Sequence, residues 1–178
     1  HIISGSFLLL AFIMFILASH LSSGEVFLTM ILLSGSTIFG AIYDIWGKRF
    51  PLSDFFMAGW MFLLVLAAGS VVTNDPFSSN LIMTVAILGG LQILFNNSVE
   101  GGLKDVRNDR KSGTRTLAVI TGALLTNKGL KPGFVIEWWG IGLRTATILI
   151  SASMSYIIAE EEGWGNWIVI AAAVIGIV

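Results

Sequence analysis

Two aspartates, Asp105 and Asp109, are the residues of this sequence whose spacing is best suited to chemistry. They are four positions apart, so on a helix both carboxylates lie on one face, within about 6 Å at Cβ. Two like charges at this spacing destabilise a helix unless a cation lies between them. Mg²⁺ is usually held by one or two carboxylates together with the phosphate oxygens of a substrate. The spacing of Asp105 and Asp109 is therefore suited to a hard divalent cation such as Mg²⁺, held between the two carboxylates.

Basic residues surround this pair of aspartates, which suits a diphosphate bound together with its Mg²⁺ because phosphate oxygens are recognised by cationic donors. Those nearest in sequence are Lys104, Arg110, Lys111 and Arg115. The alternative is a solvated loop whose basic residues only set membrane topology. A lone Asp-x-x-x-Asp pattern is more often of this second kind, so it does not decide between the two.

A second polar stretch begins at Tyr43 and continues to Lys48 and Arg49. As a functional site, Tyr43 would line the mouth of a cavity and Lys48 would bind phosphate as a point charge. As ordinary membrane features, Tyr43 would be an interfacial residue and the two basic residues would be topology signals. Asn97 and Glu100 precede the aspartates and are candidates for the cavity wall, or simply polar residues at a helix end.

The composition indicates where these residues must be positioned. The chain is 55% hydrophobic and 12% charged, with a mean hydropathy of +0.86, whereas a soluble domain carries about 25% charged residues. Such a chain cannot be intrinsically disordered, and a net charge of −1 excludes a nucleic-acid binder built on a basic face. The absence of cysteine excludes disulfides, thiolate metal sites and a cysteine nucleophile. The composition predicts an integral, multi-pass membrane protein.

Apolar segments of membrane-spanning length organise the chain, since a spanning helix needs about 20 mostly apolar residues. Strand-like alternation is absent, so the sequence predicts an all-α, multi-span transmembrane helix bundle in one membrane domain over residues 1–178. The chain starts at His1 and stops inside an apolar run, so we expect a fragment truncated at both ends. The six predicted spans are about 2–19, 26–43, 55–73, 80–97, 134–158 and 164–178.

The positions of the basic residues predict the orientation of these spans. All Lys and Arg except Arg144 fall in the segments 44–54 and 98–133, and none falls in 20–25, 74–79 or 159–163. The positive-inside rule therefore places 44–54 and 98–133 in the cytoplasm as loops. Leu117–Leu125 is too short to span and is assigned to the second loop. Arg144 is expected to snorkel to the same face or to pair with Glu137.

The two polar stretches taken together resemble the UbiA-type intramembrane prenyltransferases. The shared order is a helix pair, Tyr43 with Lys48 and Arg49, a second helix pair, and then an aspartate motif. That motif reads Asp105-x-x-x-Asp109-x-x-x-Gly113-x-x-Thr116, followed by Leu117-Ala118-Val119. The resemblance covers nearly the whole chain and implies nine helices in the complete protein, of which these six spans would be the third to the eighth.

The resemblance also implies a reaction, the transfer of an allylic prenyl group from its diphosphate to a lipophilic or aromatic acceptor within the membrane. The family holds Mg²⁺ between two aspartate-rich motifs, and the first would fall before His1, so we expect the fragment alone to be inactive. Asp105 and Asp109 would be the catalytic Mg²⁺ ligands, with Tyr43 near the prenyl group. The diphosphate-binding or cavity-wall residues would be Lys48, Arg110, Lys111, Asn97 and Glu100.

The expected partners are therefore prenyl diphosphate, an unidentified acceptor and membrane lipid, with no nucleic acid; in a prokaryote the location would be the cell membrane. Two other functions stay open. A non-catalytic transporter would carry its charges near the bilayer midplane, whereas here they gather at one face. Another membrane-embedded lipid transferase, of the phosphoalcohol type, would carry a longer Asp-Gly-x-x-Ala-Arg signature, which this sequence lacks.

Overall fold

The computed structural model describes residues 2–22, 24–50, 52–126 and 129–161, and most of them are helical. The side chains of residues 2–8, 48 and 158–161, and the predicted span 164–178, lie outside this description. The helices are α1 (Ile2–Leu21), α2 (Val26–Trp46), α3 (Asp54–Val72), α4 (Asn80–Phe95), α5 (Gly102–Ser112), α6 (Leu117–Ile120) and α7 (Phe134–Glu161). The shorter elements are a 3₁₀ turn (Gly47–Arg49), a π-helical segment (Asn96–Gly101), and the strands β1 (Leu124–Thr126) and β2 (Gly129–Lys131).

Four helical stretches are long and apolar enough to cross a membrane, judged by length and composition. They are Val26–Trp46, Asp54–Val72, Asn80–Ser112 and Phe134–Ile157. The mainly helical fold and its compatibility with a membrane are therefore confirmed. The count of six spans stays a prediction, because the predicted spans 2–19 and 164–178 fall partly or wholly on residues outside the description.

The long helices pack side by side in the order α2, α3, α4 and α7, with α1 against α2 and α3. Small residues bring them close together, as lipid-embedded helices require. A Cβ added at Gly59 of α3, for example, would lie 2.5 Å from Cδ1 of Phe39 in α2. One buried apolar cluster joins α2, α3 and α4, and a second joins α4, the π-helical segment and α7. The members of the first are Leu32, Leu33, Leu66, Ala67 and Ala86, and those of the second are Leu94, Phe95, Val99, Ile136 and Leu143.

Three buried hydroxyl groups connect α1, α2 and α3 near the ends of these helices. Thr29 Oγ1 lies 2.8 Å from Ser70 Oγ and 3.2 Å from Ser19 Oγ, and all three residues are fully buried. These hydrogen bonds pair hydroxyl groups that would find no partner in the hydrocarbon of a membrane. The tight junction of the three helices therefore combines apolar packing with hydrogen bonding.

The segment 98–133, predicted to be a loop, is largely ordered secondary structure. Helix α4 continues through the π-helical segment into α5 without a break, because the backbone remains in the helical region from Phe95 to Gly102. The one-turn helix α6 and an antiparallel hairpin of β1 and β2 follow, so the fold also contains a small β element. The stretch 117–125 holds this short helix and the start of the hairpin, and no continuous helix.

Candidate active site

Helix α5 carries both aspartates of the motif, so the condition of the spacing argument is met. It ends at Gly113, whose φ of 70° lies in the left-handed region that side chains with a Cβ disfavour. The N–H of Gly113 donates to the Arg110 carbonyl at 3.3 Å, and the N–H of Thr114 donates to the Asp109 carbonyl at 2.9 Å. The glycine four residues after Asp109 therefore terminates the helix that presents the two carboxylates.

Asp105 and Asp109 line one cavity of about 100 Å³, here called the acidic cavity. Its walls come from α2, the start of α3, the π-helical segment, α5 and the residue before α6. They are formed by Tyr43, Ser53, Asp54, Asn97, Gly101, Gly102, Asp105, Asp109 and Thr116. The fold therefore brings residues from the two polar stretches of the sequence to the same space.

Three carboxylates share this cavity, and two of them are well buried. Asp109 is 3% exposed and Asp54 is 9% exposed, while Asp105 is half-buried. Buried carboxylates are stable only with hydrogen bonds or a nearby cation. The hydroxyl Oγ1 of Thr116 is also buried there, and among the described residues it has no hydrogen-bond partner.

The donor chemistry of the acidic cavity fits Mg²⁺. Its polar groups are carboxylate, amide and hydroxyl oxygens, which are the ligands of hard divalent cations. Within the described residues, no three His, Cys, Asp or Glu side chains form a ready-made metal cluster. A cation here would therefore be held by one or two carboxylates and by oxygens of a bound substrate, as is usual for Mg²⁺.

The π-helical segment and a close helix contact position α5 against the cavity. π-turns inside α-helices are rare and occur frequently at functional sites. Buried Ser98 within the segment accepts a hydrogen bond from Nε1 of Trp139 in α7 at 3.0 Å. At the next turn, a Cβ added to Gly102 would lie 3.2 Å from Cβ of Ala118, so only a small residue allows α6 to approach so closely.

Two larger cavities border the acidic cavity and share wall residues with it. The outer cavity, of about 420 Å³, shares Tyr43, and the aromatic cavity, of about 480 Å³, shares Ser53. Both volumes fall in the range of small-molecule sites. The outer cavity is lined by Tyr43, Asp44, Ile45, Trp46, Gly47, Arg49 and Thr114, and the aromatic cavity by Ile42, Trp46, Arg49, Phe50, Ser53 and Phe56.

Of the predicted site residues, Tyr43 and Asn97 join the two aspartates, whereas Glu100 lies outside the acidic cavity walls. Its Oε1 pairs with Nη2 of Arg144 at 3.2 Å. The Arg144 guanidinium also stacks on the Phe95 ring, 4.3 Å from its centroid. Arg144 therefore pairs with Glu100 of the π-helical segment, where a pair with Glu137 was one of the two expectations.

Arg110 and Lys111, predicted as diphosphate ligands, are exposed and lie outside the walls of all three cavities. Successive helix residues are rotated by about 100°, so neither shares the face of Asp109. Arg110 Nε instead donates to the carbonyl of Ala123 at 3.1 Å. The side chain of Lys48 falls outside the described residues.

Comparison of the chain with models of protein families, with curated proteins and with solved structures finds no match. The cavity and its residues are therefore the basis for assigning a function.

Two charged residues that line the cavities, Asp54 in the acidic cavity and Arg49 in the two larger ones, were not predicted as site residues. Asp54 is in the first turn of α3, where acids are common for helix-dipole reasons alone. Arg49 follows Lys48 and lines both larger cavities. Its sequence signal was its place beside Lys48 in the motif that carries the family resemblance.

Proposed function

We propose that this protein transfers a prenyl group from an allylic prenyl diphosphate to a lipophilic or aromatic acceptor, with Mg²⁺ as cofactor, as UbiA-type prenyltransferases do. The observation that carries the proposal is the acidic cavity: Asp105 and Asp109 share it with Tyr43 from α2, the residue that the motif resemblance places near the prenyl group. The neighbouring aromatic cavity offers apolar volume for a hydrocarbon substrate.

In the reaction, the bond between the allylic carbon and the diphosphate oxygen breaks and diphosphate leaves with the electron pair. The carbon then bonds to the acceptor, which loses a proton. Asp105 and Asp109 would hold Mg²⁺, and Asp54 adds a third carboxyl group to the same cavity. Bound Mg²⁺ would stabilise the charge that develops on diphosphate.

Other groups of the chain would bind substrate and exclude water. Arg49 lines both larger cavities and can donate to phosphate oxygens through its planar guanidinium. Trp46, Phe50 and Phe56 give the aromatic cavity an apolar wall, and in the membrane this wall together with lipid would shield a cationic allylic carbon from bulk water. Tyr43, shared by the acidic and outer cavities, would contact the substrate between the metal and the solvent side.

In this proposal the long helices cross the membrane, and residues 44–54 and 98–133 face the cytoplasm. The chain is then an integral, multi-pass protein, of the cell membrane if the source is prokaryotic. The support is the segregation of basic residues, because Arg49, Lys104, Arg107, Arg110, Lys111, Arg115 and Lys131 are all exposed at the end of the fold that holds the acidic cavity.

The test is transfer of labelled prenyl diphosphates to a panel of acceptors by the full-length protein in vesicles, with and without Mg²⁺. We expect Mg²⁺-dependent product from the parent protein and none from the Asp105→Asn or Asp109→Asn variants. Asn108→Ala is the matched control, because Asn108 is exposed on the same helix and outside the cavity walls. Normal turnover by both aspartate variants would refute the proposal.

A further inference from the structure

The hairpin of β1 and β2 presents an apolar face that no other described residue covers completely. Leu125 pairs with Leu130 across the two strands, so both side chains lie on the same face. They are 51% and 43% exposed. The opposite face carries the pair formed by Leu124 and Lys131.

The position of the hairpin limits what can cover this face. β2 ends at Lys131, and α7, which is long and apolar enough to cross a membrane, begins at Phe134. The first turns of α7 expose Phe134 and Trp138, whose rings are 5.9 Å apart. Aromatic residues at the end of a spanning helix are typical of the membrane–water interface. The hairpin is thus held within a few residues of the level at which α7 would enter the lipid.

The charge around the hairpin favours a lipid surface. In the segment 102–131 the acidic residues are Asp109, which is buried, and Asp105, which is half-buried. The fully exposed charged residues described in this segment are all basic, which complements anionic headgroups. The exposed basic residues of this segment are Lys104, Arg107, Arg110, Lys111, Arg115 and Lys131.

The base of the hairpin is attached to the helix that carries the motif. Ala123 is fully buried and packs with Val106 of α5 and Ala118 of α6. Its carbonyl accepts the hydrogen bond from Nε of Arg110, also in α5. The position of the hairpin is therefore coupled to that of α5 by apolar packing and by a hydrogen bond.

We propose that this hairpin is a membrane-surface anchor: Leu125 and Leu130 insert into the headgroup layer of the leaflet beside the acidic cavity, and the anchored hairpin holds α5 over that cavity. The occupant of the apolar face is the lipid bilayer itself. The inference depends on the membrane placement made under the proposed function and does not depend on prenyl transfer.

The absence of cysteine from the sequence makes the test direct, because a single introduced thiol can be labelled uniquely. Leu125→Cys and Leu130→Cys variants of the full-length protein would carry an environment-sensitive fluorophore in vesicles of phosphatidylcholine and phosphatidylglycerol. Some of these lipids would bear a quenching spin label near the headgroup. We expect a blue-shifted emission and strong quenching by the labelled lipid at both positions.

Two controls set the scale. Asn108→Cys, on the exposed surface of α5, should give red-shifted emission and little quenching. Leu149→Cys, 61% exposed within α7, should be quenched by lipids that carry the spin label deeper in the acyl chain. With Leu149→Cys quenched, quenching at Leu125→Cys and Leu130→Cys no greater than at Asn108→Cys would overturn the anchor alone.

Other results are equally decisive. Protection of the Leu130→Cys label from aqueous iodide without quenching by lipid would show that protein covers the face, and would overturn the proposal. No quenching at Leu149→Cys would refute the membrane placement and the anchor with it. Quenching at both hairpin positions in a protein without prenyl transfer would support the anchor and leave the proposed reaction refuted.

Discussion

Trp139 Nε1 in α7 donates a hydrogen bond to Oγ of Ser98 in the π-helical segment across 3.0 Å. Ser98 Oγ in turn donates to the Leu94 carbonyl at 2.6 Å, so the serine both receives and gives a hydrogen bond. Ser98 is 2% exposed, and water is therefore a poor substitute for either partner. Because its neighbour Asn97 lines the acidic cavity, this contact connects α7 to the cavity wall.

Replacing Ser98 by alanine should lower the free energy of unfolding by about 1–3 kcal/mol, because the part-buried indole N–H loses its acceptor. The measurement is the thermal unfolding of the purified full-length protein in detergent. The matched variant is Trp139→Phe, which removes the donor and keeps an aromatic ring. If the two groups interact, the double variant loses less stability than the sum of the single ones. Strict additivity would show that the hydrogen bond contributes nothing.

Replacing Asp54 by asparagine should weaken divalent-cation binding, since it removes one of three carboxylates from the acidic cavity and preserves the side-chain shape. We expect a loss in affinity of about tenfold or more, the size found when groups around a metal site are changed. Mn²⁺ binding measured by electron paramagnetic resonance reports this directly. Asp75→Asn, an acid outside the cavity walls, is the control. Unchanged Mn²⁺ affinity in the Asp54 variant would remove this residue from the site.

Replacing Gly113 by alanine should destabilise the end of α5 by about 1–2 kcal/mol, because its backbone is in the left-handed region. An added Cβ would meet nothing within 4 Å, so the cost is conformational and not steric. Gly113→Asn should recover part of the loss, since asparagine tolerates this region. Gly142→Ala, inside α7 and also with open space around it, should leave thermal stability unchanged or raised. Equal unfolding temperatures for the two alanine variants would contradict the role of Gly113.

The pKa of Asp75, in the loop before α4, should depend on Ser78, whose side chain donates a hydrogen bond to the Asp75 carboxylate. This bond lowers the pKa of Asp75 below its ordinary value, with help from the N–H groups of Ser78 and Phe77, while desolvation opposes the shift. A lowered pKa contributes stability that is present above the unfolded-state pKa and lost as the pH falls through the folded-state value. The Ser78→Ala variant should therefore titrate Asp75 at a higher pH, measured from its carboxyl ¹³C shift. An identical titration curve would contradict this interpretation.

The helical framework could be predicted from the sequence because apolar length is a direct signal. Segments such as 26–43 and 55–73 differ from α2 and α3 by only a few residues at their ends. The segment 98–133 was predicted only as a cytoplasmic connection between spans, and its polarity did not indicate the short helix α6 or the hairpin. Helix α5 is held by tertiary contacts, such as Val106 against Ala118 and Ala123, and these partners are not apparent from the sequence of the helix itself.

The site was predicted in part for a similar reason. The spacing of Asp105 and Asp109 shows which helix face they share, and this much is a local property. Asp54 could not be identified, because its role depends on the meeting of α3 with α5, which lie far apart in the chain. The charge of Arg110 is visible in the sequence, whereas its hydrogen bond to Ala123 could not be predicted because it depends on the hairpin.

The π-helical segment between α4 and α5 makes the effect of a deletion depend on where it falls in the long helix. A π-helical turn closes over one residue more than an α-helical turn, so loss of a single residue from Asn96–Gly101 would be absorbed by a return to regular α-helix. Helix α5 has no such extra residue, and loss of one residue between Gly102 and Asp105 would turn both carboxylates by about 100°, away from Tyr43. The π-helical segment is therefore the place in this helix where the chain can change length with the least effect on the site.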